Sequence, residues 1–541
     1  MLLPTAFLAF LLLFVLYPSV MVLMRSFSHK GSLGLDNMVA FFTKPHMVKI
    51  LWQSGAVAAF VAVASTLMGS CLALVSFKTS MAFKGLFRTA AVVPLVIPGF
   101  VASLSYIFLF GRNGLITYKL LGLNLSIYGW HSVVLVQIMN LTTTAFLIMS
   151  AAILSIDDQA EDAARTLGAS EWEVFSTVTL PLLRPGVLAS MVLVFMKSMA
   201  DFSTPLFLGG RFTNLAAASY SQLIGSYNLE IAATMNVLLL SVCLVAFWIF
   251  NKVKGAGEGF RRSVGGRRKN IQFPPAIAAT MWSLSMAFST LVYMLLLSVF
   301  LAAFTKHLGA NFGLTLAHFQ EGFQRGFRGM VNTFIFASAT AAVTATAGMA
   351  GAWLITRSCT ARRLLDLLST APVAVPGTFF GVAYILAFNR PPLLLAGTWT
   401  LVLILSVVRE LPLGIRSGVS VLEQQDRSIE DAASTLGDSA VGTFFRVTLP
   451  SVRPAMVVTA LHSFVASVQA VGALIFIVSP GTKLLSIDVF EAVYKGQIGP
   501  AAAMSVVMIA LSLAGIAGIT VISSKSKGGG TSWGESLRRA A

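Results

Sequence analysis

Glu161-Asp-Ala-Ala-Arg-Thr-Leu-Gly168, followed by Val178-Thr-Leu-Pro181 and Arg184-Pro185, returns as Glu430-Asp-Ala-Ala-Ser-Thr-Leu-Gly437, Val447-Thr-Leu-Pro450 and Arg453-Pro454. Every member is displaced by the same 269 residues, as Glu161 to Glu430 shows. The segment is polar and its setting is not. Of 541 residues, 56% are hydrophobic and 11% are charged, and the mean hydropathy is +0.82. Soluble domains carry about 25% charged residues, so the chain reads as an all-α polytopic membrane protein. The repeat marks two equivalent surfaces built to meet something in water.

Apolar runs fall near 1–24, 50–77, 86–110, 128–154, 186–208 and 231–251, and again near 274–304, 330–356, 364–388, 394–421, 455–478 and 499–523. A bilayer core needs about 20 apolar residues per helix, so these are six spans and six. The first run lacks a basic leader and a small-residue cleavage site, and reads as a retained span. Six spans return the chain to its starting side, so the halves insert in the same orientation as two parallel repeats. Pro94-x-x-x-Pro98-Gly99 answers Pro372-x-x-x-Pro376-Gly377, and these prolines should open or kink the third span of each half. The domains expected are 1–253 and 274–524, with polar loops near 157–185 and 426–454, a linker at 254–273 and a tail at 525–541.

The net charge of +17 sits at the ends of apolar runs rather than on an amphipathic face, which favours membrane topology over a nucleic-acid partner. Lys78, Lys84, Arg88, the basic cluster from Lys252 to Lys269, Arg357, Arg362, Arg363 and Lys525 share one set of loops. By the positive-inside rule that side is cytoplasmic, and it holds both repeated segments and both termini. The loop at 25–49 disagrees locally and is outvoted. Cys71, Cys243 and Cys359 have no metal-ligand spacing, and the six scattered histidines argue against a metal site made by this chain.

Within each polar segment, Asp158-x-x-Glu161 and Ser428-x-x-Asp431 have capping-box spacing. Gly168 and Gly437 suit left-handed C-caps. Ser170 with Glu173, and Asp438, offer a second helix start. A helical hairpin is expected, ended by Leu-Pro-x-x-Arg-Pro, which should stop its second helix and begin the next span with Arg184 and Arg453 at headgroup level.

The spacing Asp-Ala-Ala-x3-Gly-x9-Val-x-Leu-Pro, present from Asp162 to Pro181 and from Asp431 to Pro450, resembles the Glu-Ala-Ala-x3-Gly-x9-Ile-x-Leu-Pro signature of binding-protein-dependent ABC importer permeases. Asp162 and Asp431 replace the leading Glu, with Glu161 and Glu430 directly before them, and Val178 and Val447 replace Ile. The resemblance implies the type I importer permease architecture. It also implies a docking role for Glu161, Asp162, Ala163, Ala164, Gly168 and Pro181, and for Glu430, Asp431, Ala432, Ala433, Gly437 and Pro450. Their partners would be two copies of a cytoplasmic P-loop ATPase that carries ATP and Mg2+, and a periplasmic or lipid-anchored substrate-binding protein. No Gly-x4-Gly-Lys-Ser/Thr occurs in the chain, so ATP hydrolysis and cofactor binding are expected of the partner rather than of this transport subunit. The location implied is the bacterial inner membrane, among lipid.

Superposing the repeats exposes intramembrane polar groups, which are costly and usually face a cavity or a partner. Asn140 corresponds to Arg409, Leu141 to Glu410 and Asp201 to Ala470. With Gln137, His462 and Gln469 these are candidates to line a path, and structural ion pairing of Arg409 with Glu410 or of Lys197 with Asp201 is the alternative. Asp201-Phe-Ser-Thr-Pro-Leu-Phe-Leu-Gly-Gly210 and Ser479-Pro-Gly-Thr-Lys-Leu-Leu-Ser486 resemble the fused permeases of ferric iron uptake. The same machinery also serves phosphorylated sugars, organophosphonates and thiamine. A secondary transporter would instead favour an inverted repeat, and an embedded enzyme a catalytic cluster that the sequence does not offer.

Overall fold

The computed structural model describes residues 2–29, 32–112, 114–123, 126–255, 270–307, 311–357, 362–426 and 428–525. The expected tail and most of the linker lie outside the described residues. The apolar runs are helical, the geometry that satisfies backbone N–H and C=O groups within one segment, but those near 86–110, 186–208, 364–388 and 455–478 are each divided into two helical pieces. The first half contributes Pro4–Ser26, Pro45–Lys78, Gly99–Phe110, Trp130–Ser155, Glu171–Ala200 and Leu229–Gly255. The second contributes Pro275–Phe304, Ala317–Arg357, Gly377–Phe388, Trp399–Leu422, Arg453–Val468 and Ile498–Lys525. Among the described residues nine helices are long and apolar enough to cross a membrane, or eleven if two bent pairs each count as one span. Trp399–Leu422 falls short because Arg409, Glu410 and Arg416 interrupt it. Short two-stranded ladders, Ser28–His29 with Ser32–Leu33 and Thr305–His307 with Asn311–Leu314, follow the first helix of each half.

The compact units are a different division from the sequence halves. One unit joins Met1–Asn37 to Phe319–Leu537, and the other is built on Met38–His318. Each half therefore gives its first helix to the unit built from the other half. In the first unit a wide π turn at Leu12–Leu16 lies beside the Tyr384 hydroxyl, which donates to the Phe14 carbonyl at 2.7 Å. Phe388 meets the Phe14 and Tyr17 rings at 5.5 and 6.0 Å. In the second unit, Tyr293 of Pro275–Phe304 donates to the Leu86 carbonyl at 3.2 Å, and Cys71 Sγ donates to the Met281 carbonyl at 3.6 Å.

Small residues allow close backbone approach where lipid supplies no hydrophobic drive between helices. A Cβ on Gly69 would lie 2.6 Å from the Ala145 methyl, and one on Gly348 would lie 2.9 Å from the Gly414 Cα. Thr66 and Ser190 share a buried hydroxyl hydrogen bond at 3.1 Å.

Pro98 and Pro376 stand as N-caps of Gly99–Phe110 and Gly377–Phe388. In the second half the preceding helix, Arg362–Val373, meets Gly377–Phe388 at 112°. The expected stop at Leu-Pro-x-x-Arg-Pro occurs in one half only. Phe444–Ser451 and Arg453–Val468 are bent by 68°, whereas Glu171–Ala200 runs on as one helix. A π turn precedes the proline in both halves, Phe444–Thr448 before Pro450 and Phe175–Thr179 before Pro181. Pro181 falls in the first turn after that wide segment, where its missing N–H costs least.

Candidate functional site

The first polar segment folds as Asp158–Thr166 followed by Glu171–Val174. Its first cap is Asp157, whose Oδ1 accepts the Gln159 N–H at 3.0 Å, not Asp158 with Glu161 as the spacing suggested. Glu161 is instead drawn inward by a buried cation. The Ser170–Glu173 box is present: the Ser170 N–H donates to Glu173 Oε2 at 2.7 Å and the Glu173 N–H donates to Ser170 Oγ at 3.3 Å. In the second half Asp426 Oδ1 accepts the Ser428 N–H at 3.0 Å, so the Ser428–Asp431 box is likewise replaced by an upstream aspartate. The second start there is capped by Ser439, which accepts the Gly442 N–H at 3.1 Å. Asp438 turns to Arg446 at 3.7 Å.

Both first helices end in the same backbone motif. Gly168 has φ +88° and Gly437 has φ +87°. The Gly168 N–H donates to the Arg165 carbonyl at 3.0 Å and the Ala169 N–H to the Ala164 carbonyl at 3.1 Å. Gly437 to Ser434 and Asp438 to Ala433 repeat this at 3.0 and 3.1 Å. These are Schellman caps, whose left-handed residue glycine adopts without a Cβ penalty. The caps present Leu167 and Leu436, 89% and 88% exposed, beside exposed Ala163 and Ala432. Each tip thus holds out one large apolar side chain at the equivalent position. Pro181 is half-buried and Pro450 exposed.

The residues behind the tips escaped the sequence reading. Lys78, the last residue of Pro45–Lys78, donates to Glu161 Oε1 and Oε2 at 2.9 and 2.8 Å, and Thr179 Oγ1 donates to Oε1 at 2.9 Å. Lys78 and Glu161 are 1% and 0% exposed. The second half repeats the device: Arg357, last residue of Ala317–Arg357, meets Glu430 at 2.9 Å, and Thr448 Oγ1 donates to Glu430 at 3.2 Å. Glu161 and Glu430 thus tie their helices to the end of the second helix of their half. The signal was in the repeat, because Thr179 and Thr448 occupy the same place in both Val-Thr-Leu-Pro quartets, while Lys78 and Arg357 were read only as topology charges.

The halves then diverge. Arg165 forks onto Glu171 at 2.8 and 3.1 Å and reaches Asp162 at 3.1 Å, which holds its guanidinium well above its usual pKa. Ser434 replaces it and donates to the Glu430 carbonyl. Phe273, the last residue of the expected linker, packs edge-on against Phe175 at 5.0 Å, and Trp353 covers the equivalent Phe444 at 5.4 Å.

The intramembrane candidates form separate groups. Buried Gln137 donates to Asp201 Oδ2 at 2.9 Å and accepts from Ser198 at 2.6 Å. Asp201 Oδ1 accepts the Ser203 and Thr204 N–H groups at 3.1 and 3.2 Å, capping Ser203–Leu208. Asp201 therefore organises a turn, while Lys197 donates to Thr144 at 3.0 Å. Asn140 faces the start of Gly99–Phe110, its Nδ2 3.4 Å from where a Gly99 Cβ would stand. Arg409 faces Gly377 in the same way at 3.5 Å. Glu410 lies 3.3 Å from His462 Nε2. Gln469 closes Arg453–Val468 as its C-cap.

Repeated helical bundles, each with a polar hairpin tied to its second helix, define a two-repeat membrane permease. The chain belongs to the family described as binding-protein-dependent transport system inner membrane component, which matches residues 65–254 and 343–527. It is 30% identical over 522 residues to the ferric transport system permease protein FbpB of Actinobacillus pleuropneumoniae, covering 93% of this chain and 75% of that one. The Fe(3+)-transport system permease protein FbpB 2 of Haemophilus influenzae is 22% identical over 501 residues, covering 92% and 93%. The molybdenum transport system permease protein ModB of the same organism is 31% identical over 188 residues, 32% of this chain and 82% of that one. The chain is thus a fused ABC importer permease of the inner membrane, holding two copies of what a relative such as ModB spans in about one.

Proposed function

We propose that the chain carries ferric iron, delivered by an external binding protein, through the membrane in response to ATP hydrolysis by two separate ATPase subunits. The observation that carries this reading is the pair of Schellman-capped tips, Leu167-Gly168 and Leu436-Gly437, each anchored from behind by a carboxylate tied to a membrane helix. A force applied to such a tip reaches the second helix of its half through Glu161–Lys78 or Glu430–Arg357. In this reading both tips and both termini face the cytoplasm, and the chain binds no nucleotide of its own. ATP-driven closure and a loaded binding protein favour the same outward-open state, so their coupling needs no contact between the two ligands. Leu167→Asp with Leu436→Asp should leave the chain inserted and folded while ATPase capture on an affinity column is lost; undiminished capture would sink the docking role. The cargo is tested by uptake of radiolabelled ferric iron in a strain deleted for this chain and its complemented parent. Equal uptake by both strains would remove the iron assignment.

A further inference from the structure

The start of Gly377–Phe388 gathers positive groups inside the bundle. The chain bends by 112° before it, and Pro376 is its N-cap. The first intrahelical donor seen is Phe380 to Pro376, so the N–H groups of Gly377, Thr378 and Phe379 point out of the end with its partial positive charge. The Arg409 guanidinium closes over this end, with its carbon and both terminal nitrogens 3.5 to 3.6 Å from the Gly377 Cβ position. Among the described residues the guanidinium has no hydrogen-bond acceptor. Its charged neighbour Glu410 is engaged by His462 at 3.3 Å.

Thr378 is the second residue of this helix. It is fully buried, and its Oγ1 has no hydrogen-bond partner. Side chains tilt toward a helix N-terminus, so this orphaned hydroxyl stands at the same end as the free N–H groups and Arg409. An unpaired buried polar group is costly, and three kinds of unpaired donor belong to this one helix end. Half-helix N-termini within membrane proteins are where anionic groups dock. The first half lacks the set: Asn140 stands for Arg409 at Gly99, and Phe100 for Thr378.

We propose that Arg409, Thr378 and the N-terminal turn of Gly377–Phe388 bind one compact tetrahedral oxyanion of the phosphate or sulfate class. Arg409 lies near the middle of Trp399–Leu422, with about 15 to 20 Å of helix on either side at 1.5 Å per residue. That depth favours a free anion over a lipid headgroup. The site is independent of the iron reading, since it concerns binding by the isolated chain rather than uptake.

The test is equilibrium dialysis of the full chain, purified in a phosphorus-free maltoside detergent, against labelled inorganic phosphate and sulfate. Saturable binding near one per chain is expected. Arg409→Gln should weaken it about tenfold or more, as expected for loss of charge-assisted bonds. Thr378→Val should weaken it a few-fold and Arg409→Lys should retain part. Arg416→Gln, on the same helix but paired with Asp366 at 3.2 Å, should bind as the parent does. Gel filtration and thermal unfolding of each variant separate lost binding from lost fold, and Arg409→Lys keeps the charge where Gln disturbs packing. Repetition in phosphatidylcholine nanodiscs, with mass spectrometry of retained lipid, distinguishes the sources. Free-anion binding in both settings supports the proposal. A phospholipid held by the parent and lost in Arg409→Gln, with no free-anion binding, overturns the free anion. Equal binding by parent and Arg409→Gln, or none by the parent in either setting with no lipid retained, overturns the site.

Discussion

Replacing Lys78 by Met should leave the buried Glu161 carboxylate with Thr179 as a hydrogen-bond donor at 2.9 Å and Arg165 as a neighbouring cation at 3.8 Å. Breaking one partner out of a buried ion pair costs roughly 3–5 kcal/mol. Two short contacts to Lys78 at 2.9 and 2.8 Å, with both side chains at or below 1% exposure, put the pair in that class. The remaining partners pull the loss toward about 3 kcal/mol, since part of the desolvation stays compensated. Trp172, its ring tilted against Phe175 at 5.6 Å in the same hairpin, is a local fluorescence reporter for thermal unfolding in detergent. The decisive comparison is Lys78→Met with Glu161→Leu. Two apolar residues of similar volume can replace a buried pair at little cost, so the double variant should return to within about 1 kcal/mol of the parent. If it melts as low as Lys78→Met alone, the loss came from packing and the anchoring argument fails. Its coupling is a separate readout: a stable double variant that still transports normally would show that the ion pair anchors the hairpin without transmitting force.

Arg357→Met should cost less than Lys78→Met, about 1–3 kcal/mol, because Arg357 and Glu430 keep 11% and 13% exposure; the same melting assay checks the order. Gly168→Val with Gly437→Val forces a side chain into φ near +88°, at about 1–2 kcal/mol per site. It should abolish stimulation of the ATPase by loaded binding protein while membrane insertion is kept, and normal stimulation would contradict the docking role of the tips. Arg165→Ala should loosen the first hairpin, seen as faster amide exchange from Asp158 to Val174, whereas Ser434→Ala should leave the second hairpin nearly unchanged. Tyr384→Phe removes one buried hydrogen bond to Phe14 and should lower stability by about 1 kcal/mol, measurable by denaturant titration in mild detergent.

The repeated polar segment was legible because its information is local. A positive-φ glycine, two nearby caps and a run of alanines need no knowledge of distant residues, and both Schellman caps stand where Gly168 and Gly437 placed them. The capping boxes were misassigned where a long-range contact outbid the local one, since the Lys78 ammonium offers Glu161 a stronger partner than its own helix does. The Leu-Pro break illustrates the same limit. The shared Leu-Pro-x-x-Arg-Pro gives a continuous helix through Pro181 in one half and a bend at Val452 in the other, so the motif by itself does not decide the break. The exchanged first helices were beyond periodicity altogether, because an apolar helix reads the same whichever unit receives it.

That exchange has a consequence for biosynthesis. Pro4–Ser26 is synthesised well before the rest of its unit, which is completed only by residues from Phe319 onward. At a bacterial elongation rate of up to about 20 residues per second the wait is on the order of 15 s, and several times longer at slower rates. During that interval the helix is in the bilayer without Tyr384 or Phe388 to receive Phe14. A chain shortened anywhere before Phe319 therefore leaves an unmatched helix for quality-control proteases to recognise, and fusing the halves guarantees that each early helix finds its acceptor on the same polypeptide.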